Sequence, residues 1–206
     1  ALALEEIDEA WLYDLLDGLA EQLAPAWTAA AAAIDADVRA RLGLAADAAV
    51  MPWHVSDLFF QEPPPPLPDP LLDVAGTIDI LAAARRYYAD LGHDVDPILA
   101  RSDLYPREGK DQHAFQITVD RADDIRTLCN VEPGLRWLET VLHELGHAVY
   151  DDSIDRSLPW LLRAPAHVFT TEAIAMLRER RARDGVFLTR YAGIAEEVAT
   201  HPANGS

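Results

Sequence analysis

Two histidines and a glutamate lie close together in "LETVLHELGHAVYDD", residues 138–152. His143 and His147 are four residues apart, so on an α-helix both imidazoles project from one face and can bind one metal ion. Glu144 lies about 100° around the helix from His143, close enough to reach a water molecule on that metal. The H-E-x-x-H spacing predicts that Zn²⁺ acidifies this water and Glu144 takes its proton as a peptide carbonyl is attacked. On the motif alone, two ordinary helix histidines remain the alternative.

A zinc hydrolase needs a third protein ligand and leaves one coordination position open. Six residues after the second histidine stands Ser153, which cannot be a third histidine ligand. Glu172 is the favoured candidate, because it begins the next strongly helical segment, and a helix packed across the first can bring a carboxylate to the metal. A glutamate at a helix start is also favoured by the helix dipole. The other candidates are Asp151, Asp152, Asp155 and His167.

Residues 124–177 resemble the zinc-binding core of the angiotensin-converting-enzyme family of dipeptidyl carboxypeptidases, which are helical gluzincin metallopeptidases. "HELGHAVY" is close to that family's H-E-M-G-H-x-x-Y helix, and "LLRAPAHVFTTEAIAM" is similar to the segment with its third ligand. The resemblance implies that His143, His147 and Glu172 are zinc ligands and that Glu144 is the general base.

The segment "QHAFQITV", residues 112–119, alternates polar and apolar positions with the period of a strand, and "DIRTLC" can return as its partner. We therefore expect a short β-hairpin beside the metal-binding helix. "QHAFQI" is similar to the family's C-H-A-S-A-W strand, which implies that His113 and Ala114 bind substrate. A strand edge can hold an extended peptide across a metal.

The chain departs from the family pattern after the third ligand. The family's aspartate partner of a zinc histidine is Met176 here, and "FTT" replaces its G-F-H. The family's remaining substrate groups lie well over a hundred residues beyond the third ligand, whereas 34 residues follow Glu172 here. A further chain or a missing segment would therefore have to complete the cleft, or the protein is a shortened relative.

Outside the motif the chain is predominantly helical in pattern. Residues 1–60 form an N-terminal helical region, in which Pro25 is expected to separate two helices. Four consecutive prolines make 61–70 a stiff connector. Residues 71–206 form the metallopeptidase core, including a helix over "TIDILAAARRYYADLG". The predicted fold class is mainly α, a helical zincin-like core with a short β-hairpin.

The net charge and the cysteine count exclude several classes of partner and site. The formal charge of −18 argues against nucleic acid and anionic membranes as partners, since both require a basic surface. One cysteine, Cys129, excludes an intramolecular disulfide and a cysteine-rich zinc module. The first residues lack a signal-peptide pattern, so we expect a soluble, cytoplasmic protein.

The sequence thus predicts a Zn²⁺-dependent metallopeptidase that hydrolyses short peptides. The alternative is a zinc-binding helical module with weak or no catalytic activity. Met176 and the short segment after Glu172 support that alternative.

Overall fold

A computed structural model of the chain describes residues 2–54 and 70–200. Helix accounts for 61% of the described residues, and a small antiparallel sheet is also present. This confirms the predicted mainly α class. The chain divides into two compact units, Ala1–Pro68 and Asp69–Ser206. The predicted connector, 61–70, lies outside the described residues except for Pro70. Within the described ranges, no helix has both the length and the apolar character needed to cross a membrane.

The first unit is dominated by a single helix, α1, Glu9–Leu42. It begins where the Asp8 side chain accepts a hydrogen bond from the backbone of Trp11, and it ends at Gly43 with a φ of 63°. The predicted break at Pro25 is wrong, because the helix continues through it. Pro25 cannot donate to the carbonyl four residues earlier, but this stretch is exposed, so water can bond that carbonyl. The Ala-rich sequence that follows favours helix strongly.

The second unit contains the other α-helices and both strands of the described chain. Its helices are α2 Pro70–Ala75, α3 Ile80–Asp90, α4 Asp96–Arg101, α5 Leu135–Asp152, α6 Val168–Glu179, α7 Gly185–Phe187 and α8 Glu196–Ala199. Its strands are β1 Phe115–Thr118 and β2 Ile125–Leu128. Short 3₁₀ turns at Trp160–Leu162 and Arg180–Arg183 and a π-helical turn at Leu188–Ala192 complete it.

Helix α5 lies at the centre of the second unit, and one side of it is almost fully buried. Its apolar residues recur at helical spacing and are all buried: Leu135, Leu138, Val141, Leu142, Leu145 and Val149. Tyr88 of α3 is also fully buried, and its hydroxyl donates to the Leu142 carbonyl over 2.6 Å. This bond attaches α3 to α5 directly before the first histidine of the motif.

The predicted hairpin is confirmed as an antiparallel pair of β1 and β2, with Phe115 opposite Leu128 and Thr118 opposite Ile125. Segment 103–104 covers the other edge of β2 through a bridge between Asp103 and Leu128. No strand in the described ranges pairs with the outer edge of β1. The sheet therefore ends at β1, which has a free edge.

Polar contacts hold β1 against α5. Gln116 donates from Nε2 to Asp151 Oδ2 over 3.1 Å, and the Thr118 hydroxyl donates to the same oxygen. Asp151 is one turn beyond His147 on α5, so the hairpin is attached close to the motif. The expectation that the hairpin lies beside this helix is thereby confirmed.

Candidate metal centre

Helices α5 and α6 pack closely together at a glycine. A Cβ added to Gly146 would lie 2.8 Å from Ala175 Cα, which is closer than any side chain can come. The absent side chain of Gly146 therefore admits the backbone of α6. This contact places α6 directly across the motif helix, so side chains of α6 can reach the two histidines.

Three side chains of the two helices converge. The two imidazoles face each other with 3.1 Å between His143 Nε2 and His147 Nε2. Glu172 lies across both, with Oε2 3.5 Å from His143 Nε2 and Oε1 3.6 Å from His147 Nε2. Zinc–ligand bonds of about 2.0–2.1 Å in a tetrahedron separate ligand atoms by about 3.3 Å. Donor types and spacing therefore both suit a divalent metal such as zinc.

The outer nitrogen of each imidazole also has a partner. His143 Nδ1 is 2.9 Å from Glu179 Oε2, and His147 Nδ1 is 2.7 Å from the Thr171 hydroxyl. Such contacts orient histidine ligands in metal sites. Sequence reasoning missed both partners. Glu179 could have been found, because it is seven residues after Glu172 and so lies on the same face of α6.

Met176 does not contribute a polar group to the cluster, and its side chain is 55% exposed. In the sequence, Met176 stands where the family pattern has an aspartate, which implied that one histidine of the motif lacks a carboxylate partner. The structure corrects that inference, since Glu179, three residues further along α6, holds His143.

Glu144, on α5 between the two histidines, is buried. Its pKa is raised to about 7, mainly by burial; His143 lowers it, and the neighbouring carboxylates of Glu172 and Glu179 add to the rise. A carboxylate with a pKa near 7 can take up and return a proton at neutral pH, as a general base requires. Burial also lowers the pKa of His147, so its imidazole is neutral and able to bind a metal at pH 7.

The predicted substrate residues lie beside the strand rather than in it. His113 and Ala114 precede β1, which begins at Phe115. His113 is exposed, and its backbone N–H donates to the Asp111 side chain over 2.9 Å. This short turn keeps residue 113 out of the ladder, which corrects the prediction that His113 and Ala114 belong to the strand. Their role in substrate binding remains a prediction.

Several other candidate ligands have separate roles in the structure. Asp151 accepts hydrogen bonds from the hairpin, Asp155 accepts from Ser157, and His167 caps the start of α6 at Phe169. Among the described histidines, cysteines and acidic residues, the group that could hold a metal is His143, His147 and Glu172.

Cys129 is a free thiol, and it is buried in the structure. Burial and the nearby charge of Glu144 raise its pKa to about 12. The thiol therefore stays protonated at neutral pH, and among the described residues it is not part of the group that could hold a metal.

Comparison with protein-family models, with curated proteins and with solved structures finds no match to this chain.

Proposed function

We propose that this protein is a zinc metallopeptidase of the gluzincin type that hydrolyses short peptides. The observation that carries the proposal is the convergence of His143, His147 and Glu172 next to the buried carboxylate of Glu144. The two imidazole nitrogens and the carboxylate are the ligand set of this enzyme class. A zinc ion bound there supplies Lewis-acid chemistry, polarising a carbonyl and acidifying a water.

Glu144 is the proposed general base, and its surroundings support that role. In the described part of the chain no hydrogen bond engages its carboxylate, whereas the other two carboxylates at the site are close to His143. Glu144 is therefore free to accept a proton from water and to pass it to a departing amine.

The free edge of β1 is the proposed binding surface for the peptide backbone. Hydrogen-bonded pairs alternate along an antiparallel ladder. Since Val119 N–H donates to Asp124, the backbone groups of Gln116 and Thr118 point away from β2. An extended peptide can pair with these groups. Because their side chains are bonded to α5 through Asp151, the edge has a defined position relative to the motif helix.

The weakly active or non-catalytic alternative was supported by Met176 and by the short segment after Glu172. Glu179 now supplies the carboxylate that Met176 lacks, so we favour the enzyme. A further chain that completes the cleft remains compatible with this proposal.

Substitution of Glu144 tests the proposal. The purified protein, loaded with zinc, should cleave fluorogenic peptides from a panel with free and blocked termini. Glu144→Gln should retain stoichiometric zinc and lose about 10²–10⁴-fold in kcat/KM, as expected for loss of a general base. Glu132→Gln, at an exposed position of the same unit, is the matched control and should keep full activity. Zinc-loaded wild type that cleaves no peptide, or Glu144→Gln with full activity, would overturn it.

A further inference from the structure

His143 lies between two carboxylates of the same helix. Its Nε2 is 3.5 Å from Glu172 and its Nδ1 is 2.9 Å from Glu179. Glu172 and Glu179 are two turns apart on α6, so both project toward α5. The imidazole is thus contacted at both ring nitrogens by α6.

The contact with Glu179 determines which nitrogen of His143 is available. An ionised carboxylate only accepts hydrogen bonds, so His143 must carry its proton on Nδ1. Its Nε2 lone pair then points at His147 and Glu172. Without Glu179, the ring could adopt the other tautomer or rotate, and those states present no lone pair to the cluster.

His147 is held less specifically. The Thr171 hydroxyl can accept or donate, so it is compatible with either tautomer of His147. The two histidines therefore differ. The carboxylate partner of His143 enforces one tautomer, whereas the hydroxyl partner of His147 does not.

We propose that Glu179 is the positioning residue of this metal centre and sets both the tautomer and the ring orientation of His143. The inference rests on the proposed zinc site. Glu179 itself would contact neither the metal nor the substrate. Loss of such a partner weakens metal binding by about 10–100-fold in proteins.

Glu179 is suited to a clean test, because 42% of its side chain is exposed and the buried core does not include it. Zinc affinity would be measured by competition with a chromogenic chelator for wild type, Glu179→Ala, Glu179→Gln and the control Glu197→Ala. Glu197 is exposed on α8. Thermal unfolding of each metal-free protein reports on the fold itself.

We expect Glu179→Ala to bind zinc about 10–100-fold more weakly, with unchanged metal-free unfolding. Glu179→Gln should recover most of this loss, since its amide oxygen can accept the same hydrogen bond. Glu197→Ala should match wild type. With Co²⁺ at saturation, the visible spectrum of Glu179→Ala should keep the wild-type form, because the ligands are unchanged.

Two results would overturn the positioning role: zinc affinity of Glu179→Ala equal to wild type, or Glu179→Gln as weak as Glu179→Ala. Both are distinct from failure of the proposed function. If wild type binds no zinc, the metal centre itself is wrong. If wild type binds zinc and His143→Ala abolishes binding while Glu179→Ala does not, only the role of Glu179 is wrong.

Discussion

Glu144 is buried next to two other carboxylates, and at the scale of the single residue this placement opposes folding. Its pKa of about 7 in the folded chain lies above the ordinary value of 4.5. The folded state therefore resists ionisation of this group. The resulting loss in the free energy of unfolding is absent below pH 4.5, grows as pH rises, and is complete above about pH 7. A residue suited to proton transfer is here also a source of instability.

Removing this charge should stabilise the metal-free protein. We expect Glu144→Gln to raise the free energy of unfolding by about 1–3 kcal/mol at pH 8, and by far less near pH 4.5. Urea denaturation with a chelator present at both pH values measures the difference. Glu132→Gln should show no such pH dependence. Equal stability of Glu144→Gln and wild type at pH 8 would contradict the expectation.

The structure also explains why residue 146 is a glycine. In Gly146→Ala the new methyl group would press on the Ala175 backbone and force α6 away from α5. We expect a loss of about 1–3 kcal/mol in stability, typical of overpacking, together with weaker zinc binding because Glu172 moves with α6. Gly76→Ala is the control, since nothing lies within 4 Å of a Cβ added there. Chemical denaturation and chelator competition on both variants decide it, and an unaffected Gly146→Ala would refute the prediction.

At the scale of the secondary-structure element, the helices and strands that could be predicted from the sequence are those with a strong local pattern. The apolar face of α5 and the alternation in β1 recur at the periods of helix and strand, so both could be located. The continuation of α1 through Pro25 could not be predicted, because it depends on the solvent exposure of this stretch, which a local pattern does not report. Glu172 could be proposed from its position at a helix start. Its spacing from Glu172 also marks Glu179 as a candidate, but its contact with His143 could not be predicted, since it depends on how α6 packs on α5.

The attachment of the hairpin to α5 should matter for substrate more than for metal. Asp151→Ala removes the acceptor shared by Gln116 and Thr118, so β1 should move more freely. We expect faster amide exchange at residues 115–118 and a several-fold higher KM for peptides, while zinc affinity changes little. Asp152→Ala, an exposed neighbour, is the control. Unchanged exchange and unchanged KM in Asp151→Ala would show that this contact does not hold the edge.

At the scale of the whole molecule, the buried hydrophobic core belongs to the second unit. Every residue of the core cluster lies between Leu71 and Ala199. The three candidate metal ligands lie within the same range. In α1, by contrast, Val38 is the buried residue, and the large apolar side chains Trp11, Leu16, Leu23 and Trp27 are more than half exposed. The two units thus differ in how far each can fold on its own contacts.

We therefore expect a fragment of residues 70–206 to fold independently and to bind zinc within about threefold of the full chain. A fragment of residues 1–54 should be only marginally helical, because an isolated helix gains little without tertiary packing. Circular dichroism with thermal melts, and chelator competition for the longer fragment, measure these properties. A 70–206 fragment that unfolds without cooperativity would show that its core needs the first unit.

The position of the ligands on two helices has a further consequence for this chain. An ion held by His147 and Glu172 closes a loop of 24 intervening residues, as a covalent cross-link does. In chain-entropy terms a disulfide closing such a loop contributes about 3–4 kcal/mol. With one cysteine, this chain cannot form an internal disulfide. The proposed metal would then act as a reversible cross-link, and metal supply, rather than redox state, would determine how tightly α6 is held to α5.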